Sequence, residues 1–136
     1  MPATHQPLPT DFLFVYGTLM QQFANPYARQ LRQQSRFVDC GHLPGQLFRV
    51  SWFPGAVPDP TATTFIHGEI YQLHNPTEAL PVLDEYEDTA VDGSGIYIRK
   101  ALSVHVGSES LMCWIYTYNA STANLVLIEG GRFTKE

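Results

Sequence analysis

Charge is scarce in this chain. Only 15% of its 136 residues are Asp, Glu, Lys or Arg, and the balance is acidic, with a net charge of −5. That balance argues against a nucleic-acid partner, because phosphate binding needs a basic surface. The arginines nearest one another, Arg29, Arg32 and Arg36, read as a solvated helix face. Cysteine is nearly absent as well. Cys40 and Cys113 lie far apart without metal-ligand spacing, so two reduced thiols in a cytoplasmic protein are expected. No apolar run approaches the length of a membrane span, so no membrane partner is expected. Residues 1–11 are polar and proline-containing, and lack the charged-then-apolar order of an export signal. No internal repeat is visible. A flexible leader over 1–11 followed by one domain over 12–136 is the organisation expected at this length.

What is present is 44% hydrophobic, enough for a real core, and one stretch organises the rest. Residues 12–19 read Phe-Leu-Phe-Val-Tyr-Gly-Thr-Leu, an apolar β-prone run broken by glycine. Such a run predicts a strand buried on both faces. A strand that stops at Gly17 before a helix leaves several backbone N–H groups near one spot and lets a ligand approach the backbone closely. The arrangement suits an anion, carboxylate or phosphate; a plain buried first strand with a turn fits the segment equally well.

Further along, Asn25-Pro26 predicts a helix start, with Asn as N-cap and Pro at the first helical position, followed by an apolar stripe of Tyr27, Ala28 and Leu31. Residues 36–42 and 45–50 read as two strands separated by a Pro44-Gly45 turn. The run Trp-Phe-Pro-Gly-Ala-Val-Pro-Asp-Pro at 52–60 is too rich in proline for regular structure. It is also too apolar to hang in solvent, so it reads as a rigid loop that lines a pocket or covers one end of the core. A strand over 65–73 follows, then a helix from Asn75-Pro76 with a kink or fresh turn expected at Pro81. Residues 96–106 alternate, with Ile96, Ile98, Leu102, Val104 and Val106 on one face and Tyr97, Arg99, Ser103 and His105 on the other. After Gly107-Ser108 an aromatic-rich strand closes a hairpin. Strands and helices in mixed order predict an α+β fold: a small mixed, mostly antiparallel β-barrel with flanking helices.

The second helix carries the most informative polar residue. With Leu83 at the centre of its apolar stripe, Ala79, Leu80, Tyr86 and Glu87 all fall within about 60° of it at the 3.6-residue period. Glu85 and Asp88 point away and Asp84 sits at the margin. An acid aimed at the core side breaks a local rule, and such violations gather at functional sites. Removed from water, a carboxylate has its charged form disfavoured and is poised for general acid–base work. The alternatives are that Glu87 lies past the helix end or pairs structurally with Arg99. The five histidines show no metal-ligand spacing, neither Cys nor Ser sits in a nucleophile signature, and Gly17 belongs to no nucleotide-binding loop. No metal and no cofactor are therefore expected, and the missing nucleotide signature shifts the anion at the turn toward a carboxylate.

In this setting the chain resembles the γ-glutamylcyclotransferase-like superfamily, which includes the γ-glutamylamine cyclotransferases and the avirulence-induced plant proteins. The matching pieces are Val15-Tyr16-Gly17-Thr18-Leu19, Asn25, Phe53-Pro54-Gly55-Ala56-Val57-Pro58 and Gly68-Glu69-Ile70-Tyr71. Leu83-Asp84-Glu85-Tyr86-Glu87, Tyr97-Ile98-Arg99, Tyr116 and the tail from Ile128 to Phe133 complete the ordered set. The resemblance implies a small mixed barrel in which Tyr16, Gly17, Thr18 and Leu19 bind the α-carboxylate of a γ-glutamyl group, with Tyr97, Arg99 and Tyr116 as further substrate-binding residues. It implies Glu87 as the catalytic acid/base of a cofactor-independent cyclisation that releases 5-oxoproline and a free amine or amino acid. The partner implied is a small-molecule γ-glutamyl substrate, and the chain is expected as a monomer or weak homodimer. A non-catalytic carboxylate-binding module of the same fold is the alternative from another class.

Overall fold

The computed structural model describes residues 10–21, 23–51, 53–86 and 96–134. Its elements run β1 (Phe12–Val15), α1 (Pro26–Gln33), β2 (Ser35–Arg49), β3 (Pro54–Pro58) and β4 (Phe65–Leu73), then α2 (Pro76–Tyr86), β5 (Tyr97–Val106), β6 (Glu109–Tyr118) and β7 (Val126–Leu127).

Five strands close on themselves. β1 pairs antiparallel with β4, β4 with β2 and β2 with β3; β3 then runs parallel to β6, and β6 parallel to β1, which completes the ring. The two parallel joints are narrow, with Ala56 opposite Thr117 and Leu13 opposite Trp114. β5 lies on β6 along its whole length, from Tyr97 opposite Tyr118 to Val106 opposite Glu109, and touches β2 where His42 faces His105. β7 adds a short rung to β2. The result is the small mixed, mostly antiparallel barrel that the sequence predicts. β1 sits inside its wall, with Leu13, Phe14 and Val15 all buried, as expected of a strand apolar on both sides.

Local chemistry places the helices. The Asn25 side chain accepts a hydrogen bond from the Ala28 N–H at 2.8 Å and Pro26 opens α1, so the first turn is capped from its own sequence. Ala28 and Leu31 form the buried stripe of α1; Ala79, Leu80 and Leu83 form that of α2. The two helices meet with the rings of Tyr27 and Tyr86 4.4 Å apart. Pro81 does not divide α2, which runs unbroken across it. Among the described residues no helix is long and apolar enough to cross a membrane.

The structure corrects four expectations. The two strands read over 36–42 and 45–50 are one, β2, fifteen residues long. Pro44-Gly45 is a bend rather than a turn: β2 pairs with β4 through Pro44 and with β3 from Gly45 onward. Gly45 makes the bend at φ 152°, where an added Cβ would stand 2.6 Å from the Val57 carbonyl oxygen. The proline-rich stretch likewise contains a strand, β3. Its prolines sit at the first and last positions, 54 and 58, where a missing N–H is tolerated, and the whole strand stands in register with β2, from Pro54 opposite Arg49 to Pro58 opposite Gly45. Arg36 belongs to β2, not to the helix that carries Arg29 and Arg32, and it donates to the side chain of Gln72 at 2.8 Å. Finally, β5 does not keep its burial on one face. Val104 is buried as expected, but so is Tyr97 on the opposite face, because its hydroxyl finds a partner in the Pro54 carbonyl oxygen.

The sheet also assembles what sequence spacing conceals. His42 stands directly between His67 on β4 and His105 on β5, with ring centroids 5.7 and 5.5 Å apart. Among the described residues, no group of three or more His, Cys, Asp and Glu is placed to hold a metal ion.

Candidate active site

A cavity of about 250 Å³ opens where β1 ends. One side is a continuous piece of chain: Phe14, Val15, Tyr16, Gly17, Thr18 and Leu19. The other is drawn from four places, with Phe53 and Pro54 at the start of β3, Tyr86 at the end of α2, Ile96 and Tyr97 entering β5, and Tyr116 on β6.

The turn after β1 is tied down from several directions. The Met20 N–H donates to the Gly17 carbonyl at 3.1 Å, and the Gln21 N–H donates to a Glu69 carboxylate oxygen at 2.8 Å. Asn25 serves two elements: besides capping α1, its Nδ2 donates to the Thr18 carbonyl at 2.8 Å. Among the described residues the N–H groups of Thr18 and Leu19 meet no backbone acceptor. Gly17 has a packing reason to be glycine, since a Cβ there would lie 2.9 and 3.0 Å from Cγ and Cδ of Pro54. The turn and β3 thus meet at near-contact distance on the cavity wall.

Hydroxyl groups knit the walls together. Tyr16 accepts from the Ala56 N–H at 3.2 Å and donates to the Tyr116 carbonyl oxygen, which links β1, β3 and β6 through one ring. The hydroxyls of Thr18 and Tyr86 share a hydrogen bond at 2.6 Å, joining the turn to the end of α2. Tyr116 donates to Asp84 Oδ1 at 2.7 Å. The same carboxylate takes Arg99 Nε at 2.7 Å and Nη2 at 3.1 Å, and the guanidinium lies 4.3 Å over the ring of Trp114.

Of the residues the sequence singles out, Tyr16, Gly17, Thr18, Leu19, Tyr97 and Tyr116 are brought together around this cavity. Arg99 is not among its lining residues and is engaged by Asp84 and Trp114. Glu87 lies outside the described residues; Tyr86, which precedes it, lines the cavity. Phe14 and Val15 are read from the sequence as part of a buried strand, Tyr86 as part of the apolar stripe of α2 and Ile96 as part of the apolar face of β5, whereas Phe53 and Pro54 belong to the proline-rich run for which a pocket-lining role is raised. Asp84 is missed because a helical projection measures only where a residue points, not that Arg99 and Tyr116 wait for it on neighbouring strands.

Comparison with known proteins agrees with this architecture. The family model described as gamma-glutamyl cyclotransferase, AIG2-like, matches residues 13–135. The gamma-glutamylcyclotransferase family protein YtfP of Citrobacter rodentium (strain ICC168) is 30% identical over 123 residues, covering 89% of this chain and 93% of that protein. The crystal structure of an AIG2-like protein from Mus musculus matches with a TM-score of 0.70 at 24% identity, over 91% of this chain and 88% of that one. YkqA from Bacillus subtilis gives a TM-score of 0.69 at 23% identity over 90% of this chain, which spans only 39% of that longer protein. At these identities the two structures speak to the fold alone.

Proposed function

The chain belongs to the gamma-glutamyl cyclotransferase, AIG2-like family, and from that premise we propose that it converts a γ-glutamyl amine or peptide into 5-oxoproline and the free amine or amino acid. The observation that carries the reading is the cavity at the end of β1, walled on one side by residues 14–19 and bordered by Tyr86 immediately before Glu87. In this reading the N–H groups of Thr18 and Leu19 hold the α-carboxylate of the glutamyl group, a fixed anion site that needs no cationic side chain.

The reaction asks little of the protein beyond folding the substrate. Nucleophile and electrophile already share one molecule: the α-amine attacks the γ-carbonyl carbon, a C–N bond closes the five-membered ring, and the C–N bond to the leaving amine breaks. Holding the two groups in attack geometry is worth on the order of 7–11 kcal/mol. Glu87 takes the proton from the α-ammonium and returns it to the departing nitrogen, work that general acid–base groups perform for about 10²–10⁴-fold in rate. To take that proton Glu87 must start as the ionised carboxylate, and it returns the proton as the carboxylic acid.

The test is direct. Incubated with γ-glutamyl amines, γ-glutamyl dipeptides and glutathione, the protein is expected to release 5-oxoproline from at least one, detected by mass, and Glu87→Gln to lose that activity by about a hundredfold or more. Undiminished product from Glu87→Gln would overturn its role. Ligand-dependent stabilisation without any 5-oxoproline would identify a carboxylate-binding module instead.

A further inference from the structure

We infer that Glu69 is a positioning residue for this site: it clasps the turn after β1 at both ends and holds it in the shape that takes a carboxylate. The inference rests on the cyclotransferase reading in one respect, that this turn is where the glutamyl carboxylate binds. Glu69 belongs to the Gly68-Glu69-Ile70-Tyr71 run on β4 and does not line the cavity. Its backbone stands opposite Val15, the last residue of β1, where the chain enters the turn. Its side chain accepts the Gln21 N–H at 2.8 Å, where the chain leaves it. Residues 16–20, Thr18 and Leu19 among them, are thereby closed into a loop whose two ends are fixed by one residue of a neighbouring strand.

The clasp is itself held in place. The Tyr71 hydroxyl, two residues on and so on the same face of β4, donates to the same Glu69 oxygen at 3.0 Å. Burial, then the Glu69 charge beside it, hold the Tyr71 pKa well above its ordinary value, so this hydroxyl stays a donor at any working pH. The Tyr71 ring is buried and packs edge-to-face with Phe37, centroids 5.6 Å apart. Within the turn, the Gln21 N–H is spent on Glu69 and the Met20 N–H on the Gly17 carbonyl, while those of Thr18 and Leu19 meet no backbone acceptor among the described residues. A turn already held in this shape loses less freedom when it binds, which is how preorganisation adds affinity. The α-carboxylate does not react, so its anchoring counts alike in the ground state and the transition state. Loss of the clasp therefore falls on KM and spares kcat.

Two substitutions at one position separate the clasp from mere stability. A glutamine oxygen has two lone pairs and can accept from both the Gln21 N–H and the Tyr71 hydroxyl; alanine can accept from neither. For a γ-glutamyl compound that the protein turns over, Glu69→Ala is expected to raise KM about tenfold with kcat within about twofold, and Glu69→Gln to bring KM back to within about threefold of wild type. Tyr71→Phe keeps the packing and removes only the hydroxyl that steadies Glu69. It is expected to raise KM about threefold, so the test survives if Glu69→Ala does not fold. Ile66→Val, which trims the buried core on β4 away from the turn, supplies the reference for a change in stability alone: a lower Tm and an unchanged KM. A KM unmoved by Glu69→Ala and Tyr71→Phe, raised equally by Glu69→Ala and Glu69→Gln, or raised also by Ile66→Val would overturn the inference. If no γ-glutamyl compound yields 5-oxoproline, the cyclotransferase reading fails, and γ-glutamyl-alanine serves as a binding probe instead. The rise in Tm it gives the wild type is then expected to be kept by Glu69→Gln and lost in Glu69→Ala or Tyr71→Phe. Any other pattern, no rise in the wild type included, overturns the clasp as well.

Discussion

Arg99 holds both carboxylate oxygens of Asp84, and Asp84 in turn receives the hydroxyl of Tyr116, so one side chain on α2 is fixed to β5 and β6 at once. The two partners are about a quarter or less exposed, at 21% and 25%, and the guanidinium has an aromatic ring beneath it. Planar, two-point pairs of this kind lose more when one partner is removed than they gain by existing, because the survivor is left without compensation. Asp84→Ala is therefore expected to lower unfolding stability by about 1–3 kcal/mol, measured by urea denaturation. The double variant Asp84→Ala/Arg99→Ala is expected to fall short of the summed single effects, since it removes the stranded charge. Strict additivity would mean that the pair contributes nothing as a pair.

Gly17 and Pro54 yield a second prediction. A methyl group at 17 must push on the pyrrolidine ring, which lies 2.9 Å away and has little freedom to move. Overpacking of this sort costs about 1–3 kcal/mol. Gly17→Ala is expected to destabilise the fold by that amount and to weaken binding of a γ-glutamyl ligand in a thermal-shift assay. Pro54→Ala in the same chain is expected to restore part of both. A Gly17→Ala protein with unchanged stability would show that the turn has room the structure does not give it.

Acid sensitivity follows from His67 on β4. Burial, the Arg132 charge and His42 hold the pKa of His67 below its ordinary value. The unfolded chain therefore binds this proton more readily than the folded one, and stability falls as pH drops below the ordinary histidine value of about 6.5. Tm is expected to decline between pH 7.5 and 5.5, and His67→Gln to decline less steeply. Identical slopes would assign the acid response elsewhere.

The two thiols are expected to differ sharply. Cys40 is exposed, whereas Cys113 is buried and its pKa is pushed up to about 12 by burial. Thiolate is the reactive form. Iodoacetamide at pH 8 is expected to add one label to the native protein, at Cys40 by peptide mass, and a second only after unfolding. Rapid labelling of Cys113 in the native state would contradict its place in the core.

What can be read from the sequence is what is decided locally. Asn25-Pro26 announces α1 because a cap and a fixed φ act within one turn, and the hairpin around Gly107-Ser108 follows from alternation and a turn signal. The β1 turn is legible because its residues are contiguous. Strand β3 is hidden because proline counts against a strand, yet at 54 and 58 it occupies positions where the ladder does not need its N–H. The length of β2 is hidden because its two halves serve different partners. The far wall of the cavity draws on residues from 53 to 116, and Asp84 gains its role only from Arg99 and Tyr116, so neither can be seen before the barrel closes.

The Tyr16 ring gives the closed barrel an internal clock hand. Its hydroxyl holds the Ala56 amide on one strand and the Tyr116 carbonyl on another, while its backbone begins the turn beside the cavity. Opening the narrow parallel joints between β3, β6 and β1 must release that amide. Hydrogen exchange at Ala56 thus times the opening of the barrel seam, and a molecule lodged against residues 16–19 slows it without touching Ala56 itself. A single backbone proton, followed by NMR in the unlabelled wild-type cavity, reports occupancy for any candidate ligand, whether or not it is turned over.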